Sequence, residues 1–301
     1  MTEPSSSLVV EDLPSSLRDP ILLVSFAGWN DAAESATTAA KFLCERWSAR
    51  RVARIEAEEF FQFSVLRPEV RFAEGSESVR EVRWPLNEFF LSQDESLPRD
   101  VLTLIGIEPH LKWQTFTGFI LDLARRCGVS MVITLGALLA DVPHTRPVRV
   151  NGVATDPKVA VRMRTTQTRY QGPTGIVGVL NDACRRAGLP AVSLWANVPH
   201  YVSEVNNPHT VLALVHRVLD FLDWKTDLTE LDDSAVEFDR QLTRILQQKP
   251  EVARYITELE RRAAETEAEE ARTSGELPGT QELIREVEQF LREHRQDTDS
   301  E

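Results

Sequence analysis

The stretch Pro20-Ile21-Leu22-Leu23-Val24-Ser25-Phe26-Ala27-Gly28 decides the fold class. It is a continuous apolar run bounded by proline and glycine. Such a run reads as a strand covered on both faces, which is the habit of strands in parallel sheets. A polar turn follows, Gly28-Trp29-Asn30-Asp31, and then an Ala-rich helix to about Cys44. Asp31 with Glu34 resembles a capping box at that helix's start.

The same pattern recurs outward along the chain. Val101 to Gly106 reads as a strand, and Trp113, Phe116, Ile120 and Leu123 recur at helical spacing before Gly128, a helix-ending glycine. Val129 to Leu139 is the next buried strand. Thr174 to Ala187 is a helix closed by Gly188, and Ala191 to Ala196 is another strand. Asn207-Pro208 supplies a cap and a first-turn proline for a helix to about Trp224. Strand-like segments also lie near Val52–Ala57, Val70–Phe72 and Val79–Leu86. Pro147 to Arg164 reads as one or two exposed strands or a long loop. Strands alternating with helices of this length predict an α/β fold with a mostly parallel sheet.

Four of the apolar strands end in related polar turns. They are Gly28-Trp29-Asn30-Asp31, Gly106-Ile107-Glu108-Pro109-His110, Ala140-Asp141-Val142-Pro143-His144 and Ala196-Asn197-Val198-Pro199-His200. In a parallel sheet all carboxyl ends share one edge, and ligand sites of open α/β sheets form there. These turns are therefore expected to converge. Histidine titrates near neutral pH, so His144 and His200 are the candidate acid/base groups, with Glu108 and Asp141 to orient them. Trp29, Asn30, Asp31 and Arg146 are candidate ligand contacts. The competing reading is structural: proline stops a strand, and Asp, Asn or Glu caps the next helix.

A second feature is Tyr170-Gln171-Gly172-Pro173-Thr174-Gly175-Ile176-Val177-Gly178, at a predicted helix start. Gly172, Thr174 and Gly175 suit a cradle for a phosphate or carboxylate, because a helix N-terminus favours an anion. The alternative is a tight turn with close helix–sheet packing. Neither a Walker A loop nor a dinucleotide fingerprint is present. No G-x-S-x-G elbow occurs, and no short-spaced ligand pair marks a metal site, so neither metal nor cofactor is expected.

Charge narrows the partners. The chain has 301 residues and a net charge of −13. From Thr226 onward there are 21 acidic and 10 basic residues, against 26 and 24 before it. The acidity belongs to the tail, and this sign repels nucleic acid and anionic membranes. No apolar run is long enough to span a bilayer. The first 20 residues lack the basic start and apolar core of a secretion signal, so a cytoplasmic location is expected. Cys44, Cys127 and Cys184 are odd in number and far apart, which argues for buried apolar packing and against a disulfide framework. The expected organisation is a flexible leader (1–19), an α/β core (20–225), an acidic helical extension (226–295) broken near Lys249-Pro250 and Ser274–Gly279, and a disordered tail (296–301).

Several runs together resemble the proteasome assembly chaperone 2 family in its actinobacterial branch. They are Ser25 to Ala32, Gly106-Ile107-Glu108-Pro109 with Trp113, Leu135 to Pro147, Gly172 to Ile176, and Trp195 to Tyr201, in the family's order across about residues 20–224. The resemblance implies a three-layer α/β/α sandwich with a mixed, mostly parallel sheet, akin to phosphorylase/hydrolase-like folds, plus a C-terminal helical extension. It implies a homo-oligomer, with a trimer among the states it allows, and contact with proteasome subunits or other proteins. Family members can dock on proteasome rings through a hydrophobic-Tyr-X tail, whereas this sequence reads Asp297-Thr298-Asp299-Ser300-Glu301 at its end, so docking by the tail is not expected. Two functions stand against each other. One is a non-enzymatic assembly factor. The other is a small-molecule hydrolase- or phosphorylase-like enzyme with a polar cleft at the sheet's carboxyl edge.

Overall fold

The computed structural model describes residues 7–73, 75–76, 78–163, 171–203 and 205–275. Ten strands are present among them: β1 (Leu8–Val10), β2 (Ile21–Ala27), β3 (Arg50–Ile55), β4 (Glu69–Phe72), β5 (Arg80–Arg83), β6 (Asn87–Ser92), β7 (Val101–Ile107), β8 (Met131–Ala140), β9 (Val150–Ala154) and β10 (Ala191–Pro199). The helices are α1 (Ser35–Arg46), α2 (Trp113–Cys127), α3 (Pro157–Met163), α4 (Ile176–Arg186), α5 (Pro208–Leu222), α6 (Thr229–Gln247) and α7 (Pro250–Gly275).

Eight strands form one sheet in the order β1-β3-β6-β7-β2-β8-β10-β9, and β4 pairs with β5 in a separate hairpin. The run that opens at Ile21 is central. β7, β2, β8 and β10 are mutually parallel neighbours, with Ile21 opposite Val101 on one side and Met131 on the other. β1, β3, β6 and β9 run antiparallel to their neighbours and finish the two flanks. The sheet is thus mixed and mostly parallel at its centre, as expected.

Alternation along β2 feeds two cores. Leu22, Val24 and Phe26 face one side, where Phe116 and Ile120 of α2 and Ile176 and Leu180 of α4 cover them. Ile21 and Leu23 face the other, under Ala36, Ala39 and Leu43 of α1 and Leu214 and Val218 of α5. Helices on both faces of one sheet make three layers. Each Leu, Val or Phe so buried contributes about 1.5–3 kcal/mol. The Phe116 ring meets Phe26 at 5.9 Å and Phe60 at 5.2 Å between centroids.

Several local expectations change. Residues 8–10, in the stretch read as leader, form β1 and pair with β3. The strand expected near Val79–Leu86 is β5, shorter than the segment, and a further strand, β6, follows it. β5 ends at Arg83, and β6 begins at Asn87 beyond Pro85, whose missing N–H breaks a ladder. The Pro147–Arg164 stretch contains β9 and α3. Asp31 and Glu34 do not form a capping box. Ala33 and Glu34 take left-handed backbone angles (φ 53° and 50°), and α1 starts only at Ser35. Asn207 does cap α5, accepting from the N–H groups of His209 and Thr210.

The chain divides into two compact units, residues 1–248 and 249–301. The first holds the sheet and α1–α6. In the second, α7 carries Glu258 bonded to Arg261 and Arg262, three and four residues on. No described helix is long and apolar enough to cross a membrane.

Candidate functional site

The carboxyl ends of β7, β2, β8 and β10 lie along one sheet edge, in that spatial order. Their turns assemble into two groups.

The first group joins β2, β7 and α4. Gly28, at φ +119°, lets the chain fold back after β2. Asn30 then lies fully buried, and its carbonyl accepts from Ala137 N on β8 at 2.8 Å. Glu108 follows β7 directly, its N–H donating to Ala27 O at 2.9 Å. Its Oε1 accepts from Asn30 Nδ2 at 2.9 Å and from the N–H of Ile176 at 2.8 Å. Because a carboxylate only accepts, the Asn30 amide must turn its NH2 toward Glu108. Gly175 packs against this pair so closely that a Cβ there would stand 2.5 Å from Asn30 Oδ1 and 2.7 Å from Glu108 Oε1.

The helix start read as an anion cradle is therefore occupied by the chain's own carboxylate. The positive end of α4 and its unpaired N–H favour a negative group, and Glu108 supplies it from 68 residues away. Thr174 is exposed, and its Oγ1 lies 1.9 Å from where a Cβ on Gly178 would be. Gly172 is exposed in the approach to α4.

Asp31 is also turned inward. It is buried, and its carboxylate accepts from Ala36 N at 2.6 Å and from Thr37 N and Oγ1, closing the start of α1. Burial pushes its carboxyl above the usual value, against the opposing pull of the Thr37 and Ala36 bonds. Trp29 points the other way and is 63% exposed.

The second group joins β8 and β10. His144 donates its N–H to Tyr201 Oη at 2.7 Å, and its Nδ1 lies 2.8 Å from the same oxygen. His200 Nδ1 lies 3.2 Å from Asp141 Oδ1. The Tyr201 ring is edge-on to both imidazoles, at 5.8 Å and 5.6 Å. Arg146 follows in the same turn, its N–H 3.4 Å from Pro143 O. His110, from the remaining Pro-His turn, instead accepts from Gln62 N at 3.0 Å and stacks edge-on against Phe61.

The turns thus bring Asn30, Glu108 and Gly175 together in one group and Asp141, His144 and His200 in another, with His110 in neither. Tyr201 is the residue that reading turn by turn overlooks. Its signal was its place directly after the Pro199-His200 turn. Among the described residues no three His, Cys, Asp or Glu side chains gather as a metal would require. Burial pushes the thiols of Cys44 and Cys127 up to about 11 and that of Cys184 to about 12, so they remain protonated.

The family model of the PAC2 family matches residues 25–246. A crystal structure of a PAC2 family protein from Streptomyces avermitilis is 43% identical, with a TM-score of 0.73 over 79% of this chain and 99% of that one. A Mycobacterium tuberculosis proteasome-assembly chaperone homologue is 39% identical, with a TM-score of 0.71 over 78% and 99%. An archaeal proteasome activator from Pyrococcus furiosus shares the fold, at 20% identity and a TM-score of 0.63 over 79% and 97%. No curated protein matches the sequence.

Proposed function

The chain belongs to the PAC2 family, and on that premise we propose that it is a cytoplasmic, self-associating assembly factor that binds proteasome components. The observation that carries this reading is the way the strand ends divide their side chains. Asn30, Asp31 and Glu108 are spent inside the fold on helix starts and on each other. Outward, the same edge presents Trp29, Leu138 and Leu139, and Leu139 is 54% exposed. Aromatic and aliphatic side chains on a rigid edge suit a protein contact, where Trp is enriched among the residues that carry binding energy. The relationship to a proteasome-assembly chaperone homologue supports the choice of partner.

The test is surface plasmon resonance of the full chain on purified proteasome α and β subunits of the source organism. Trp29→Ala with Leu139→Ala should weaken binding at least about tenfold, in the range of a lost anchor. Unchanged affinity, or no binding by the wild type, would reject the reading.

A second reading rests on the His144–Tyr201 and His200–Asp141 contacts. Two imidazoles beside a phenol and a carboxylate at a sheet's carboxyl edge suit acid/base work on a small molecule. His144→Ala with His200→Ala separates the two. The assembly reading expects subunit binding to persist, and the enzymatic reading expects metabolite levels in the native cell to change.

A further inference from the structure

The connection from β8 to β9 is gripped near its middle by one phenol. It leaves β8 after Ala140 and enters β9 at Val150. At its far end Arg149 O accepts from Asn197 N at 3.2 Å. Near its middle, Tyr201, from the short helical turn that follows β10, places Oη 2.7 Å from His144 N and 2.8 Å from His144 Nδ1. A backbone N–H only donates, so Oη accepts there. A phenol has one proton of its own, and its second lone pair is drawn into the ring. The contact with Nδ1 is then best made with that proton, Oη–H donating to the ring nitrogen. This order needs Nδ1 without a proton and puts the imidazole's own proton on Nε2.

We propose that the His144–Tyr201 pair is a proton-operated latch on this sheet edge. It holds the β8–β9 connection against the end of β10 while His144 is neutral, and releases it when His144 takes up a second proton. An imidazolium carries N–H at both ring nitrogens. Nδ1–H and the backbone N–H of His144 would then meet the same phenol oxygen. The bond that the phenol donates is lost, and the oxygen is asked to accept twice. Histidine changes charge between about pH 5 and 8, so the release falls within a range that cells reach. The sign follows directly. The latch contributes while His144 is neutral, and its contribution is lost as pH falls through the protonation of that ring.

The neighbouring groups do not cancel this response. His200 Nδ1 lies 3.2 Å from Asp141 Oδ1 and 3.5 Å from Ala140 O. Both are acceptors, so this contact wants a proton on Nδ1 and tightens when His200 is charged. The two histidines thus answer acid in opposite senses. Asp141 is 78% exposed, so its attraction to His200 is screened and worth little. Arg146 and Arg149 also lie in this connection, and an arginine stays charged throughout the range, so neither switches. The latched connection begins directly after Leu138, Leu139 and Ala140, and the two leucines are the exposed apolar pair of this edge. That release would alter a partner surface rests on the proposed function, whereas the latch itself does not.

Two measurements on the purified full chain test the latch, with circular dichroism melts confirming that each variant folds. The first is nitrogen-15 NMR of the labelled histidines, assigned with His144→Asn. At about pH 7.5 the His144 ring should show its proton on Nε2 and a hydrogen-bonded, unprotonated Nδ1. The second is amide hydrogen exchange of residues 141–149 at about pH 7.5 and about pH 5.5, corrected for the intrinsic pH dependence of exchange. Protection in the wild type should fall about two- to tenfold at the lower pH, the worth of one hydrogen bond. Tyr201→Phe removes the hydroxyl, so its protection should be low at both pH values. His144→Asn keeps an acceptor near the place of Nδ1 and has no ring to protonate, so its protection should stay high at both. A proton on Nδ1 at the higher pH would overturn the proposal, since the phenol would then accept twice already. A wild type equally protected at both pH values would overturn it, and so would a Tyr201→Phe variant that keeps the pH step. The NMR result on the wild type decides even if a variant fails to fold. No proteasome subunit is present, so failure here leaves the subunit-binding measurement standing.

Discussion

Asn30 Nδ2 stands 2.9 Å from Glu108 Oε1, joining two turns that are 78 residues apart. The same oxygen closes the start of α4 at Ile176. One carboxylate thereby ties the ends of two strands to the helix that covers them.

Glu108→Ala removes the acceptor of both groups. Each buried donor left without a partner costs about 1–3 kcal/mol, so urea unfolding should show a loss of about 2–6 kcal/mol. Gly175→Ala tests the packing separately, since the new methyl would sit 2.5 Å from Asn30 Oδ1. Overpacking of this kind costs about 1–3 kcal/mol. A neutral Gly175→Ala would mean that the contact is looser than described.

The central strands were legible because burial on both faces leaves an unbroken apolar run, as in Ile21–Phe26 and Met131–Leu135. The flanks were harder to read. β6 buries Asn87, Phe89 and Leu91 but only half-buries the residues between them, and Pro85 hides the gap that separates it from β5. β1 is three residues long, too short to show a period. At the site, the sequence placed the turns on one edge, because parallel strands leave no other arrangement. It did not show which side chains face inward. Nothing local says that Glu108 caps α4, since the helix it serves begins 68 residues later.

Asp31 makes stability depend on pH in a defined direction. Burial raises its folded carboxyl above the ordinary 3.8. Folding therefore favours the neutral form. Its contribution is complete below the unfolded value and declines as pH rises through the folded one. Asp31→Asn cannot ionise. From pH 4 to pH 7 the wild type should lose stability relative to this variant, measured as the difference in urea unfolding free energy. A constant difference, or one of opposite sign, would show that the Thr37 and Ala36 bonds outweigh burial.

Gly136 and Trp195 face each other on β8 and β10, and the indole occupies the space a side chain on Gly136 would need. A Cβ at that position would lie 2.5 Å from the ring. An aromatic residue folded over a cross-strand glycine is a recognised way to fix register. Gly136→Ala should cost about 1–3 kcal/mol, because the ring must leave its place. Trp195→Leu has its own cost, but with it in place the added methyl should be tolerated better. A double-mutant cycle should then show a coupling of about 0.5–3 kcal/mol. Strict additivity would sink the idea that these two residues set the register.

Arg18 tests whether the stretch before β2 belongs to the folded unit. Its N–H and Nε donate to the two oxygens of Asp100 at 2.9 Å and 2.8 Å. Asp100 is fully buried, at the start of β7, and its backbone exchanges bonds with Arg18 O and Ile21 N. Arg18 itself is half-exposed, so the gain from its charge is screened, but its side chain supplies the partners of the buried Asp100 Oδ1, while Oδ2 keeps the residue 18 N–H in any variant. Arg18→Ala should therefore destabilise by about 1–3 kcal/mol, the cost of leaving the one buried oxygen, Oδ1, without its donor. Arg18→Lys should recover only part, because an ammonium lacks the planar fork by which Nε and Nη2 both reach Asp100 Oδ1. Asp100→Asn in the Arg18→Ala background should recover some stability, since it removes the buried charge itself. Thermal melts of the full chain would read all three, at roughly 2–4 °C per kcal/mol for a unit of this size. If Arg18→Ala melted with the wild type, residues before Ile21 would be a leader in the thermodynamic sense, whatever their geometry.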